Sequence, residues 1–165
     1  HDYFADALIA INSGGMDQAR DLLSEMAPGS KATEIMKKQL RALILHREGR
    51  SDRAIELLAE AATMEDEMPL RSGPPLPSKP THEMMGEVLL DLDRVQEALE
   101  EFEKSLERAP RRTLSVLGLA QAALRAGNSK IGAEALSTLR KNWHQADPDL
   151  LELDELQRAL EQQKR

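Results

Sequence analysis

The sequence predicts an all-α fold, a right-handed α–α superhelix of about four helix pairs closed by a C-terminal capping helix. Three observations carry that expectation. Small residues and glycines recur in one frame at intervals of roughly 34 residues. With no cysteine, 2% aromatic, 41% hydrophobic and 31% charged residues, the composition suits many amphipathic helices sharing a thin Leu- and Ala-rich core better than a compact enzyme core. Helix-start residues stand where the frame needs them.

The first pair carries Ala7, Gly14, Ala19 and Leu23, and the second carries Ala42, Gly49, Ala54, Leu58 and Ala61 in the same order. After an insertion of about ten residues, the third pair carries Gly86, Ala98 and Phe102, and the fourth Ala120, Gly127, Gly132 and Leu136. The small residues let two helices cross closely, and Gly14, Gly49 and Gly127 sit in turns that favour φ > 0. The third turn, Asp91-Leu92-Asp93-Arg94, has no glycine. The frame predicts one domain over 1–165, with repeats at about 1–32, 33–68, 79–112 and 113–146, an insertion at 69–78 and a capping helix at 148–163.

Ser51 and Asp52 are read as caps for a helix through Thr63, Pro80 as a first-turn residue, and Asp147-Pro148 as the opening of the last helix. That helix, Leu150 to about Gln163, sets Leu150, Leu153, Leu156 and Leu160 on one stripe. Trp143 is expected to pack between it and the helix before. The insertion, with prolines at 69, 74, 75, 77 and 80, favours an extended path, either as a solvated connector or as a strap bordering a binding groove.

The segment Thr81 to Pro110, THEMMGEVLLDLDRVQEALEEFEKSLERAP, with Gly86, Ala98, Phe102 and Pro110, resembles a tetratricopeptide repeat. Across Gln39 to Leu139, the run Ala62-Thr63-Met64-Glu65-Asp66, the loop Gly73-Pro74-Pro75-Leu76-Pro77, the helix around Glu83 to Leu90 and the stretch Phe102 to Arg112 together resemble the C-terminal part of large bacterial tetratricopeptide-repeat proteins. The resemblance implies a scaffold longer than this chain, in a bacterial cytoplasm or periplasm, with no catalytic residue to carry over. The chain opens on His1, in keeping with a start inside a longer product.

Stacks of this kind bind protein segments on the concave face, lined by the first helix of each pair. Helical spacing assigns to that face Phe4, Leu8, Ile11 and Asn12; Gln39, Leu43, His46 and Arg47; Glu83, Glu87, Leu90 and Asp91; and Leu117, Gln121, Leu124 and Arg125. The expected ligand is a peptide with apolar anchors and a basic residue. The Lys, Asn and Arg set with which some tetratricopeptide modules hold a chaperone C-terminus is missing: Phe4, Leu8, Gln39, Glu83 and Glu87 stand there, and the two acids repel a carboxylate.

Glu83, Glu87 and Asp91 repeat every four residues, a ridge read as solvated and paired with Arg47 or Arg125, or as a site for a basic peptide. No nucleophile or oxyanion cradle converges with it, so no enzyme is expected. A net charge of −7 with scattered basic residues argues against nucleic acid, and no apolar run has the length of a membrane span. Two alternatives remain. Phe4, Leu8 and Ile11 make an apolar end suited to self-association or to docking upstream repeats, and Met64, Met68, His82, Met84 and Met85 form a set suited to a soft ion such as copper(I). No cofactor is expected.

Overall fold

The computed structural model describes residues 2–69, 77–143 and 151–163, and every regular element among them is an α-helix. In order these are α1 (Tyr3–Asn12), α2 (Met16–Glu25), α3 (Lys31–Arg47), α4 (Ser51–Asp66), α5 (Thr81–Asp91), α6 (Val95–Arg108), α7 (Thr113–Arg125), α8 (Ser129–Asn142) and α9 (Leu151–Gln163). The chain divides into two compact units, His1–Val88 and Leu89–Arg165, the boundary falling within α5. In the first, α1 packs on α2, α3 on α4, and α3 also on α1 and α2. In the second, α7 lies against α6 and α8, and α9 closes on α7 and α8. Neighbour-on-neighbour packing of helices, as in a helical-repeat solenoid, is the arrangement the sequence predicts.

The turns inside the four pairs share one set of hydrogen bonds. After α1, Gly14 N donates to Ile11 O (3.2 Å) and Gly15 N to Ala10 O (2.8 Å). The same two bonds run from Gly49 to His46 and Arg50 to Leu45, from Asp93 to Leu90 and Arg94 to Leu89, and from Gly127 to Leu124 and Asn128 to Ala123. This is the Schellman termination, which needs a left-handed residue after the helix. Gly14, Gly49 and Gly127 supply it at φ 84°, 79° and 74°, and Asp93 adopts it at φ 58°. The next residue caps the following helix: the carbonyls of Gly15, Arg50, Arg94 and Asn128 accept from the amides of Ala19, Ala54, Ala98 and Gly132. Those four residues are buried, as are Ala7, Ala42, Gly86 and Ala120 of the first helices.

Two glycines are required by close contact. A Cβ on Gly132 would stand 2.7 Å from Leu124 Cδ2, so the fourth pair takes glycine where the others take alanine. A Cβ on Gly118 would overlap the ring of Phe102. Gly118 lies outside the repeating frame; it opens α7 to the fully buried Phe102 of α6. Glycine inside a helix costs about 1 kcal/mol, less than a buried phenylalanine contributes.

Several local expectations shift. Helix α4 runs on to Asp66, and its N-cap is Arg50, so Ser51 is already helical and its Oγ lies 3.0 Å from His46 Nδ1. Pro80 precedes α5 and accepts from Met84 N through its carbonyl. Asp147-Pro148, Leu150 and most of the insertion, 70–76, lie outside the described residues. Leu156 and Leu160 of α9 are buried, and Trp143, the C-cap of α8, packs against their cluster. No helix among the described residues is long and apolar enough to cross a membrane.

The third turn is testable through its one non-glycine. A left-handed conformation costs an L-residue about 1–2 kcal/mol, less for Asp, and the exposed ion pair of Asp93 with Arg125 (2.8 Å) contributes under about 1 kcal/mol. Asp93→Gly is therefore expected to raise unfolding free energy by about 0.5 kcal/mol or more in urea denaturation. A lowered midpoint would show that the ion pair outweighs the backbone.

Candidate functional site

The first helices α1, α3, α5 and α7 present the residues assigned to the concave face, and the repeat register sorts those residues into two stripes. Phe4, Ala7 and Ile11 lie three and four positions apart, as do Gln39, Ala42 and His46; Glu83, Gly86 and Leu90; and Leu117, Ala120 and Leu124. Each trio forms one face of its own helix centred on the small residue, and that face is largely buried. Phe4 and Ile11 are 3% and 2% exposed, and Gln39 and Glu83 are fully buried. A ligand meets these four only if the helix seam opens. His46 and Leu117 are half-buried, and Leu90 and Leu124 buried.

The second stripe lies about 100–140° round each helix. Leu8, Leu43 and Glu87 are half-exposed and Gln121 exposed, while Asn12, Arg47, Asp91 and Arg125 are exposed. Leu8 and Asn12 hold on α1 the register positions that Leu43 and Arg47 hold on α3, and the two helices are packed together in the first unit. Arg47 has no carboxylate partner among the described residues. In the second unit, Arg125 donates to Leu90 O (3.0 Å) and Asp93 Oδ1 (2.8 Å), tying the end of α7 to the α5–α6 turn.

The acidic residues, read from the sequence as a solvated ridge, differ in exposure. Glu83 is buried with Lys79 Nζ at 3.8 Å, Glu87 accepts from the same ammonium at 2.7 Å, and Asp91 is exposed. Lys79, at the end of the insertion, takes the place expected for Arg47 or Arg125.

Burial of Gln39 and Glu83 carries a desolvation cost that hydrogen bonds must offset. Gln39 Nε2 donates to Lys79 O (2.8 Å) and Thr81 Oγ1 (2.9 Å). Thr81 in turn donates from N (2.8 Å) and Oγ1 (2.6 Å) to Glu65 Oε2. Glu65 of α4 thus caps α5 across the insertion, a charge-assisted pair of bonds at a helix N-terminus. His82 Nε2 lies 3.2 Å from Asp66 Oδ2 and strengthens the same join. Glu65 and Thr81 were absent from the sequence-derived site. The available signal was position: Glu65 continues the buried stripe of Ala54, Leu58, Ala61 and Ala62, where an acid needs a buried partner.

Among the described residues no three His, Asp or Glu side chains stand close enough to hold a metal ion. Met84 is fully buried, and Met64, Met68 and Met85 are half-buried. On the outer surface, Lys38 hydrogen-bonds Glu60 at 2.6 Å between α3 and α4 and holds that carboxyl below its usual range.

The buried join is expected to serve stability alone. Glu65→Ala leaves the Thr81 amide and hydroxyl without their carboxylate and should cost about 2–3 kcal/mol in urea denaturation. A loss below about 0.5 kcal/mol would mean that water replaces the carboxylate at little cost.

Residues 80–112, which span α5 and α6, match the family model of the tetratricopeptide repeat, over about a fifth of the chain. No curated protein and no solved structure matches the chain. The chain thus carries a tetratricopeptide repeat within an all-α fold of stacked helices.

Proposed function

We propose that this chain is a non-enzymatic protein-interaction module, and that its first unit holds a peptide or protein segment along α1 and α3. The observation that carries the reading is the second stripe: half-exposed Leu8 and Leu43 beside exposed Asn12 and Arg47 on adjacent helices. Apolar positions of this kind take aliphatic anchors, and an unpaired guanidinium selects a nearby carboxylate or carbonyl. A basic residue of the ligand would have to displace Lys79 from Glu87, which makes the apolar pair the primary contact. Tetratricopeptide repeats serve mainly to bind proteins, and the match over residues 80–112 supports the general class.

Peptide-display selection on the folded chain tests this reading. Enriched peptides should carry aliphatic anchors and lose about tenfold or more in affinity on a Leu8→Gln/Arg47→Glu variant of unchanged thermal midpoint. Enrichment indifferent to both substitutions would remove the α1–α3 face from the proposal.

A second reading rests on a different observation. In α1 only Asp6, Asn12 and the Tyr3 hydroxyl are polar, and Ile9 is 66% exposed. This surface suits self-association or the docking of another helix pair of a longer protein, with Ile9 as its centre in place of the buried Phe4 and Ile11. Sedimentation equilibrium should then show dimer that Ile9→Glu abolishes. A parent chain monomeric to millimolar concentration would count against self-association.

A further inference from the structure

The second unit carries a groove of ≈ 590 Å³ between α8 and α9, separate from the stripe on the first helices. Its lining is mixed: Ala133 and Leu136 of α8 and Leu160 of α9 are apolar, and Ser137, Arg140, Lys141 and Gln157 are polar. Ala133 and Ser137 lie four residues apart on one face of α8, and their short side chains leave the space that longer ones would fill. Arg140 and Lys141 stand at one end of the same face.

The two cations lie in the last turn of α8, where positive charge offsets the helix dipole. A dipole role does not require what Arg140 also does. Its guanidinium reaches across to α9 and donates to Gln157 Oε1 at 3.0 Å, a neutral amide. The guanidinium groups of Arg20, Arg53, Arg94 and Arg125 all meet carboxylates, at 2.5–2.8 Å. Gln157 is itself directed elsewhere, donating to Glu161 at 2.7 Å. In a chain of net charge −7, an arginine that among the described residues meets only an amide is placed for an external carboxylate, which accepts two parallel N–H bonds where the amide accepts one.

We propose that the α8–α9 groove binds a peptide segment bearing an aliphatic side chain and a nearby carboxylate. The aliphatic group lies on Ala133, Leu136 and Leu160, and the carboxylate displaces Gln157 from Arg140, with Lys141 adding to the local positive field. The volume accommodates one such pair of side chains and falls within the range of ligand clefts.

The test is a ¹⁵N-resolved NMR titration of the full chain with acetyl-Leu-Ala-Ala-Glu-amide. The expected result is amide shifts at Ala133, Ser137, Arg140 and Leu160, a change at the indole of the neighbouring Trp143, and affinity that falls as salt rises. Arg140→Gln, at an exposed position whose one partner among the described residues is Gln157, should weaken binding about fivefold or more without moving the thermal midpoint. Ser137→Leu should fill the groove and abolish binding with Arg140 intact. The proposal is overturned if the shifts fall outside the groove or are absent at millimolar peptide. It is also overturned if Arg140→Gln leaves affinity unchanged, or if acetyl-Leu-Ala-Ala-Gln-amide binds equally well.

Discussion

Two helices joined by three residues can lie side by side only if the first ends abruptly and the second starts at once, and the hydrogen bonding at that joint shapes each repeat. In all four pairs the residue after the left-handed position closes the first helix through its amide and opens the second through its carbonyl. Four residues further on, the chain must pass close to the helix it has just left, and Ala19, Ala54, Ala98 and Gly132 occupy that point. Turn, cap and crossing are thus one constraint, since a bulky residue at the crossing would force apart helices that the turn holds together. Asp93 shows how firmly the constraint acts: without a glycine, the backbone still adopts φ 58°, and Arg125 binds both the Asp93 side chain and the carbonyl of Leu90.

The same geometry decides which residues are available to a partner. A face centred on the small residue is largely consumed by packing: of its neighbours at three and four positions, His46 and Leu117 are half-buried and the others buried. In the repeats flanking the insertion, two of those neighbours are Gln39 and Glu83, polar groups that core packing alone would disfavour. Their partners offset part of that cost, the amide nitrogen of Gln39 being bonded and its Oε1 having no protein partner among the described residues. Gln39, Thr81 and Glu65 join α3, α5 and α4, re-anchoring the chain after the insertion through bonds of 2.6–2.9 Å. Lys79 completes the arrangement by pairing with Glu87 at 2.7 Å and lying 3.8 Å from Glu83. Residues on the expected binding face are thereby divided between a structural join and the smaller accessible stripe of Leu8, Leu43 and Arg47.

Much of the fold was legible in the sequence because its determinants are local and repeated. A glycine that must adopt positive φ, an alanine that must fit a crossing and a leucine stripe on the last helix each announce themselves through spacing. The candidate site was legible only to within one residue of rotation. Leu8 and Ile11 are both apolar and three apart, and nothing in their identity says that Ile11 faces the neighbouring helix while Leu8 borders solvent. Gly118 was illegible for a related reason, since its requirement comes from the ring of Phe102, sixteen positions earlier and on another helix.

The sequence by itself determined the helical class, the pairing frame and the places where the backbone turns, because these depend on steric preferences of single residues and on periodicity along one chain. Only the tertiary structure decided which polar groups are buried, that Glu65 caps α5 across the insertion, and that Arg140 meets an amide at the groove between α8 and α9. Those outcomes depend on distances between side chains far apart in the chain, and a one-dimensional pattern does not contain them until the helices are packed.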